Sequence, residues 1–360
     1  MKIGFDARMI THPGIGRYIR CLLPEMVKQA PKDRFVVFGE PEKLKDISDA
    51  PNVKIARWNV PIYSVWEQSF PFRFPMDMDL LHVPHFNIPV FFGRKMVVTV
   101  HDLIYLLFPD AVPTLLAKHY ARFMIESVLK KASRVVTVSN HTKNDLVRLF
   151  GEQYSRKMDV IYEAPGKEFR RIKDKARIAD VRTRHRLDEN IILYVGSVKP
   201  HKNIKTLIKM FARLKSWGVP HQLVICGRWD KKEDHLKEEM SDRYIRYLGE
   251  VTSEDLVALY SMSDVLVHLS LYEGFGLTVL EAMQCGTPVV VSNASSLPEV
   301  AGTSAFVVPP QNLEQIADTV YNVIINQQLK DGMMETGLDH AKKFSWEETA
   351  QKTLEVYRKA

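Results

Sequence analysis

Two short apolar runs, VLVHLS ending at Ser270 and PVVVS from Pro288 to Ser292, enclose the stretch EGFGLTVLEAMQCG, Glu273–Gly286. Each run has the length and composition of a buried strand. Between them lie a glycine loop, an apolar-faced helix from Leu277 to Gln284 and a Gly-Thr-Pro stop. Strand, loop, helix and strand in that order constrain the chain to a parallel sheet covered by helices. The first turn of such a helix presents unpaired N–H groups at the positive end of its dipole, a ready anion site. Glu273 lies in the loop before that turn, and Glu281 about two turns along the helix, on the side that returns toward the loop. The Glu-x7-Glu spacing alone also describes two solvated side chains. The glycine loop and flanking strands give it weight: an anion site between two carboxylates fits a ligand with phosphates in the middle and hydroxyls at both ends, a nucleotide sugar.

The same unit recurs along the chain. KIGFDAR (Lys2–Arg8) reads as a strand, and HPGIGRYIRCLLPEM (His12–Met26) as a glycine loop opening an amphipathic helix. Gly14 and Gly16 form G-x-G only; Ile19 stands where a dinucleotide fingerprint needs its third glycine and Arg17 opens the helix, so no NAD site is expected. RFVVFGE (Arg34–Glu40), LLHVP (Leu80–Pro84), KMVVTVHDL (Lys95–Leu103) and Arg134–Val138 continue as strands, the last followed by a helix capped by Ser139 or Asn140. VIYEAPG (Val160–Gly166) closes a first domain, and the charged stretch Lys167–Asn190 reads as linker plus helix. IILYVGSVKPHKNIKTLIKMFARL restarts the pattern at Ile191, which marks a second doubly wound domain. Its further strands are Gln222–Gly227, Arg246–Leu248 and AFVVP. His101, at the end of the Lys95 strand, sits where ligands of such sheets gather, and Lys202, at a helix start, is placed to meet phosphate oxygens.

Two segments carry competing readings. The aromatic-rich stretch from Val60 to Pro75 has no sustained period and suits either an acceptor-side element or core packing. Asp77-Met78-Asp79 precedes a strand rather than following one, so it reads as a solvated strand start; with His82 and His85 off any common helix face, no metal is expected.

No apolar run approaches the roughly 20 residues that span a bilayer, and no signal peptide is apparent. Cys21, Cys226 and Cys285 lack metal spacing and read as reduced thiols, so a cytoplasmic location is expected. The net charge of +7 is concentrated early: residues 1–165 hold 23 Lys and Arg against 17 Asp and Glu. That balance suits peripheral contact with the inner face of a membrane or an anionic lipid-linked acceptor, or a plain solvated surface. Without nucleic-acid motifs or basic-aromatic alternation, no nucleic-acid partner is expected.

EGFGLTVLEAMQCGTPVV resembles the signature of the GT-B retaining glycosyltransferases of family 4, and the likeness extends over nearly the whole chain. The resemblance implies an α/β fold of two doubly wound Rossmann-like domains facing across a cleft. Residues 1–166 would bind the acceptor, with a C-terminal helix at about 346–360 crossing back to them, and residues 167–345 would bind the nucleotide sugar. It assigns Glu273 to the transferred sugar, Glu281 to the ribose, and the amides around Phe275, Gly276 and Leu277, with Gly16 and Lys202, to the diphosphate. TVHDL followed by Phe108-Pro109 places His101 at the donor sugar, Ser139 and Lys143 at the ligand site and Val251 at the base. Two departures stand out. Ser197 occupies the place of a usual Arg, which Lys199 or Arg17 would have to replace, and Glu163-Ala164 replaces a usual Asn-Gly. Arg228 is a further candidate beyond its strand.

The implied reaction is retaining transfer of a hexose from a nucleotide-diphosphate sugar, with GDP-mannose favoured by overall likeness to bacterial mannosyl- and rhamnosyltransferases. The acceptor is a glycan or lipid-linked oligosaccharide of surface polysaccharide synthesis. No cofactor is expected, the nucleotide sugar being a substrate, and amides with Lys202 carry the diphosphate charge without a metal. A nucleotide-sugar epimerase of the same fold and a non-catalytic nucleotide-sugar-binding protein are the alternatives; conversion of the donor alone would mark the epimerase.

Overall fold

The structure is a computed structural model that describes residues 1–74, 77–108 and 114–360; Pro75 and Pro109, which end two of the motifs above, lie outside them. The chain divides into two compact units, Met1–Glu163 with Ser345–Ala360, and Ala164–Phe344.

The first unit is built on a seven-stranded parallel sheet ordered β3-β2-β1-β4-β5-β6-β7. Its strands are β1 (Lys2–Asp6), β2 (Arg34–Gly39), β3 (Val53–Arg57), β4 (Leu80–Val83), β5 (Lys95–Val100), β6 (Arg134–Thr137) and β7 (Met158–Val160). Near-continuous apolar runs form strands here because helices cover both faces of a parallel sheet. The helix Ile15–Gln29 buries Tyr18, Ile19, Leu22, Leu23 and Met26, the spacing of a single helical face.

The C-terminal helix Trp346–Lys359 belongs to this unit and packs on the Ile15 helix. Ser345 caps it by accepting the Glu348 N–H at 3.1 Å, and Thr349 donates to the Tyr162 carbonyl at 2.8 Å. A buried polar chain fixes it to the sheet: Tyr357 meets His82 Nδ1 at 2.5 Å, His82 Nε2 meets Thr99 at 2.9 Å, and Thr99 meets the Tyr18 hydroxyl at 3.1 Å. Burial pushes the His82 imidazole down to about 3, so the ring is a neutral link in that chain.

The aromatic segment is part core and part surface. Phe70 and Phe74 pack edge-on with Phe38 and against Trp58, while Tyr63, Val65, Trp66 and Phe72 are exposed. Within it, buried Glu67 pairs with Arg8 at 2.9 Å, and Arg8 pairs with Asp6 at 2.6 Å. Asp79 accepts the Lys2 backbone N–H at 2.7 Å and Asp77 pairs with the Lys2 ammonium, so this acidic pair anchors a strand start.

The second unit has a six-stranded parallel sheet ordered β10-β9-β8-β11-β12-β13. These are β8 (Ile191–Val195), β9 (Gln222–Cys226), β10 (Ile245–Gly249), β11 (Val265–His268), β12 (Val289–Ser292) and β13 (Phe306–Val308). Its core joins Ile192, Ile225, Val265 and Val290 to Leu207 and Phe211 of the Ile204–Ser216 helix. Strand order reverses between β8 and β11. Loops leaving the carboxyl ends of two such strands diverge and leave a crevice, the usual ligand position of doubly wound sheets. No helix among the described residues is long and apolar enough to cross a membrane.

Candidate active site

The loops leaving β8 and β11 carry Lys202 and Glu273, so the topology brings together two residues that are 71 positions apart. Lys202 ends a short 3-10 turn, Pro200–Lys202, before the Ile204 helix, and the Leu271 N–H donates to the His201 carbonyl at 2.8 Å, tying the two loops together. The Lys202 ammonium lies 2.5 Å from Glu273 Oε1. The same oxygen accepts from His268 Nε2 at 2.7 Å and from Ser270 Oγ at 2.8 Å. Oε2 takes no hydrogen bond among the described residues, and the side chain keeps 13% of its surface exposed. Burial alone would raise the Glu273 carboxyl. The Lys202 ammonium and the His268 hydrogen bond outweigh it and hold the group well below the usual carboxylate range. Burial, reinforced by the neighbouring Lys202, pushes the His201 imidazole down to about 3.

The loop backbone is held from the next crossover. Ser295, at a positive φ of 54°, accepts the Glu273 N–H at 2.8 Å, and Ser296 donates to the carbonyls of Glu273 and Phe275 at 3.0 and 2.7 Å. Gly276 then turns the chain into the Leu277–Gln284 helix at a φ of +110°, where a Cβ would lie 2.9 Å from the Leu297 side chain. Only glycine meets both conditions. The amides of Gly276, Leu277 and Thr278 donate to no acceptor among the described residues, so the helix mouth keeps its donors for an anion.

Phe275 is buried and contributes only backbone to this mouth. Glu281 has no exposed surface and accepts the Tyr260 hydroxyl at 3.1 Å. Ser197 is half-buried, and its carbonyl accepts the Tyr194 hydroxyl at 3.1 Å. Arg228 and Lys199 are exposed, and Val251 is half-buried just beyond β10. Among the described residues, no group of three or more His, Cys, Asp or Glu side chains is gathered as a metal site.

In the first unit, His101 follows β5 directly. Its Nδ1 lies 3.0 Å from Glu163 Oε1 and its Nε2 lies 3.2 Å from the Pro84 carbonyl, while its own carbonyl accepts from Thr142 Oγ1 at 3.1 Å. Glu163, which the sequence offers only as a departure from a usual Asn-Gly, is thus the ring's charged partner. Asp102 accepts the Ile104 N–H at 2.9 Å and shapes the loop, and Ser139 caps its helix by accepting the Thr142 N–H at 3.0 Å. Lys143 reaches toward the Met158 carbonyl at 3.5 Å. Gly16 is buried, and a Cβ there would lie 2.3 Å from the Ile10 carbonyl oxygen. Its N–H, expected to meet phosphate, already donates to the His12 carbonyl at 2.9 Å. Arg17 is half-buried in the first turn of the same helix.

Sequence reasoning missed His268, Ser270, Ser295 and Ser296. His268 and Ser270 lay inside an apolar run read as strand, and the two later serines lay in a polar loop that offers no pattern.

The family models agree with this arrangement: the description Glycosyltransferase Family 4 matches residues 14–164, and Glycosyl transferases group 1 matches residues 177–339. Over 285 residues the chain is 31% identical to O-antigen chain mannosyltransferase B of Escherichia coli, covering 78% of this chain and 74% of that protein. It is 30% identical over 305 residues to O-antigen chain mannosyltransferase RfbU of Salmonella typhimurium strain LT2, covering 83% of this chain and 78% of that protein. The chain is a group 1, family 4 glycosyltransferase. The glycosyltransferase also shares its GT-B fold with HepE of Anabaena, solved in complex with UDP and glucose: the TM-score is 0.77 at 18% identity, with 100% of both chains covered. Lys202, Glu273 and the helix mouth therefore lie in the group 1 region of the glycosyltransferase, and His101 and Glu163 in its family 4 region.

Proposed function

We propose that this glycosyltransferase moves mannose from GDP-mannose, with retention of configuration, to a glycan or lipid-linked acceptor of surface polysaccharide synthesis. The observation that carries the reading is the Glu273 carboxylate, fixed through one oxygen beside a helix mouth with unpaired amides. The diphosphate seats on the amides of Gly276 and Leu277, joined by Lys202, and Glu273 Oε2 takes the sugar hydroxyls. As the bond from the anomeric carbon to the phosphate oxygen breaks, negative charge grows on the diphosphate, and preorganised donors stabilise it without a metal. The acceptor oxygen bonds to the anomeric carbon on the same face, and its proton passes to the departing phosphate oxygen. Glu273 is a sugar ligand in this scheme and not a base. Val251 meets the base through its backbone. The ribose role of Glu281 requires an opening of the packing around Tyr260. Mannose is supported by two relatives named as mannosyltransferases, at 31% and 30% identity.

The proposed location is the cytoplasmic face of a membrane, with peripheral contact through the first unit. Exposed Val65, Trp66, Phe72, Leu115, Leu116 and Phe123, with the basic excess of residues 1–165, support it. Thermal-shift titration with GDP, UDP, dTDP and ADP and their sugars tests the donor. Stabilisation by GDP-mannose, followed by mannose transfer to a lipid-linked acceptor, is expected. Preference for another base with no mannose transfer would overturn the substrate.

A further inference from the structure

His268 ends β11 with 1% of its side chain exposed, and its ring stacks on Tyr194 of β8 with centroids 5.8 Å apart and planes 9° off parallel. Tyr194 is itself buried, and its hydroxyl is tied to the Ser197 carbonyl. The ring has no room to turn. Its Nε2 meets Glu273 Oε1, and an ionised carboxylate only accepts, so Nε2 carries the hydrogen. Its Nδ1 is a buried polar atom without a partner among the described residues. A buried polar atom left unmet costs stability, and apolar filling of the same space would avoid that cost. The ring is therefore placed for what Nε2 does.

Three donors converge on Oε1 of Glu273, and a carboxylate oxygen has two lone pairs. One donor is in excess. His268 and Ser270 are fixed by the buried strand end. Lys202 reaches Oε1 on a flexible four-carbon stem and keeps 15% of its side chain exposed. It is the donor that can leave.

We propose that His268 is a positioning residue for Glu273: with Ser270 it keeps Oε1 pinned while Lys202 transfers from the carboxylate to the donor's diphosphate, so that Oε2 stays aimed at the sugar. The inference rests on the donor reading given above. It makes the free glycosyltransferase self-paired, with the phosphate ligand and the sugar ligand neutralising each other until the nucleotide sugar separates them.

The test compares binding of a nucleoside diphosphate with binding of its sugar conjugate. Calorimetric titration uses GDP with GDP-mannose, or the pair of whichever base the wild type prefers, on wild type, His268→Leu and His268→Gln. His268→Leu is expected to weaken the nucleotide sugar by about tenfold, the scale of one hydrogen bond to a charged group. Affinity for the plain diphosphate should fall by clearly less, about two- to threefold, because that ligand draws Lys202 away but does not itself touch Glu273. His268→Gln, which retains an N–H donor, should recover most of the loss. Equal weakening of both ligands, or weakening of neither, would overturn the positioning role alone. Failure of the wild type to bind any pair would overturn the donor reading, and this inference with it.

Discussion

His101–Glu163 in the first unit and His268–Glu273 in the second are the same chemical pair assembled in opposite senses. In the first, the ring follows a strand and the carboxylate arrives from 62 positions further on. In the second, the ring ends the strand and the carboxylate stands only five positions away, on the loop that leaves it. The first pair is closed: both ring nitrogens of His101 face acceptors, and its carbonyl is also engaged. The second is open, because Glu273 gathers its donors on one oxygen and leaves the other to a ligand. A closed pair fixes the shape of a backbone and ring edge. An open pair presents a charge.

If that contrast is right, the open pair carries the larger share of catalysis. Glu273→Gln should lower turnover by about 10²–10³ while the protein stays folded, the scale of losing a preorganised electrostatic contact. Steady-state kinetics at saturating donor measure this, and near-normal turnover would break the comparison. Lys202→Ala should lower turnover by about 10² and also weaken plain diphosphate binding. In the same variant the Glu273 carboxyl loses its chief charged neighbour and should titrate upward, which carbonyl infrared spectroscopy of the labelled carboxyl follows.

The closed pair should give less. Glu163→Gln keeps a hydrogen-bonding partner for His101 but removes the charge, and turnover should fall by about tenfold with donor affinity unchanged. A larger loss than that of Glu273→Gln would reverse the ranking of the two pairs.

The smallest effect separates the units by pH. Burial pushes His82 and His85 in the first unit, and His201 in the second, down to about 3. Unfolded histidines take up protons below about 6.5, while these folded rings stay neutral until about 3. Their contribution to stability is therefore whole above the unfolded value and is lost as pH falls toward the folded one. Glu273, also held below its ordinary range, adds its loss only once pH falls under the usual carboxylate values. Melting should accordingly weaken between pH 7 and 5, with the first unit, which holds two of the three rings, affected more. Hydrogen exchange resolved by peptide measures each unit, and equal or absent change would count against the contrast.

Most of the strand framework was legible because parallel strands covered on both faces must be apolar throughout, and VLVHLS, PVVVS and KMVVTV read that way. The edge strand Val53–Arg57 was not read. It carries Lys54 and Arg57 and is only half-buried, so it shows no apolar run. The glycine loop and its helix were legible through Gly276 and the Leu277–Gln284 periodicity. Contacts set by topology were not. Nothing in a spacing of 71 positions says that Lys202 meets Glu273, and His268 was hidden by the apolar run that contains it. The Gly16 amide shows the converse limit: a glycine loop before a helix looks like an anion site in sequence, yet here its N–H closes on His12.

The central claim is that a donor diphosphate seats at the mouth of the Leu277 helix and takes Lys202 from Glu273. A crystal structure with GDP-mannose, or with the sugar nucleotide that titration selects, tests it most directly. The account predicts phosphate oxygens on the amides of Gly276 and Leu277, Lys202 moved onto phosphate, and Glu273 still held by His268. A diphosphate bound elsewhere, with the Lys202–Glu273 pair intact, would contradict it.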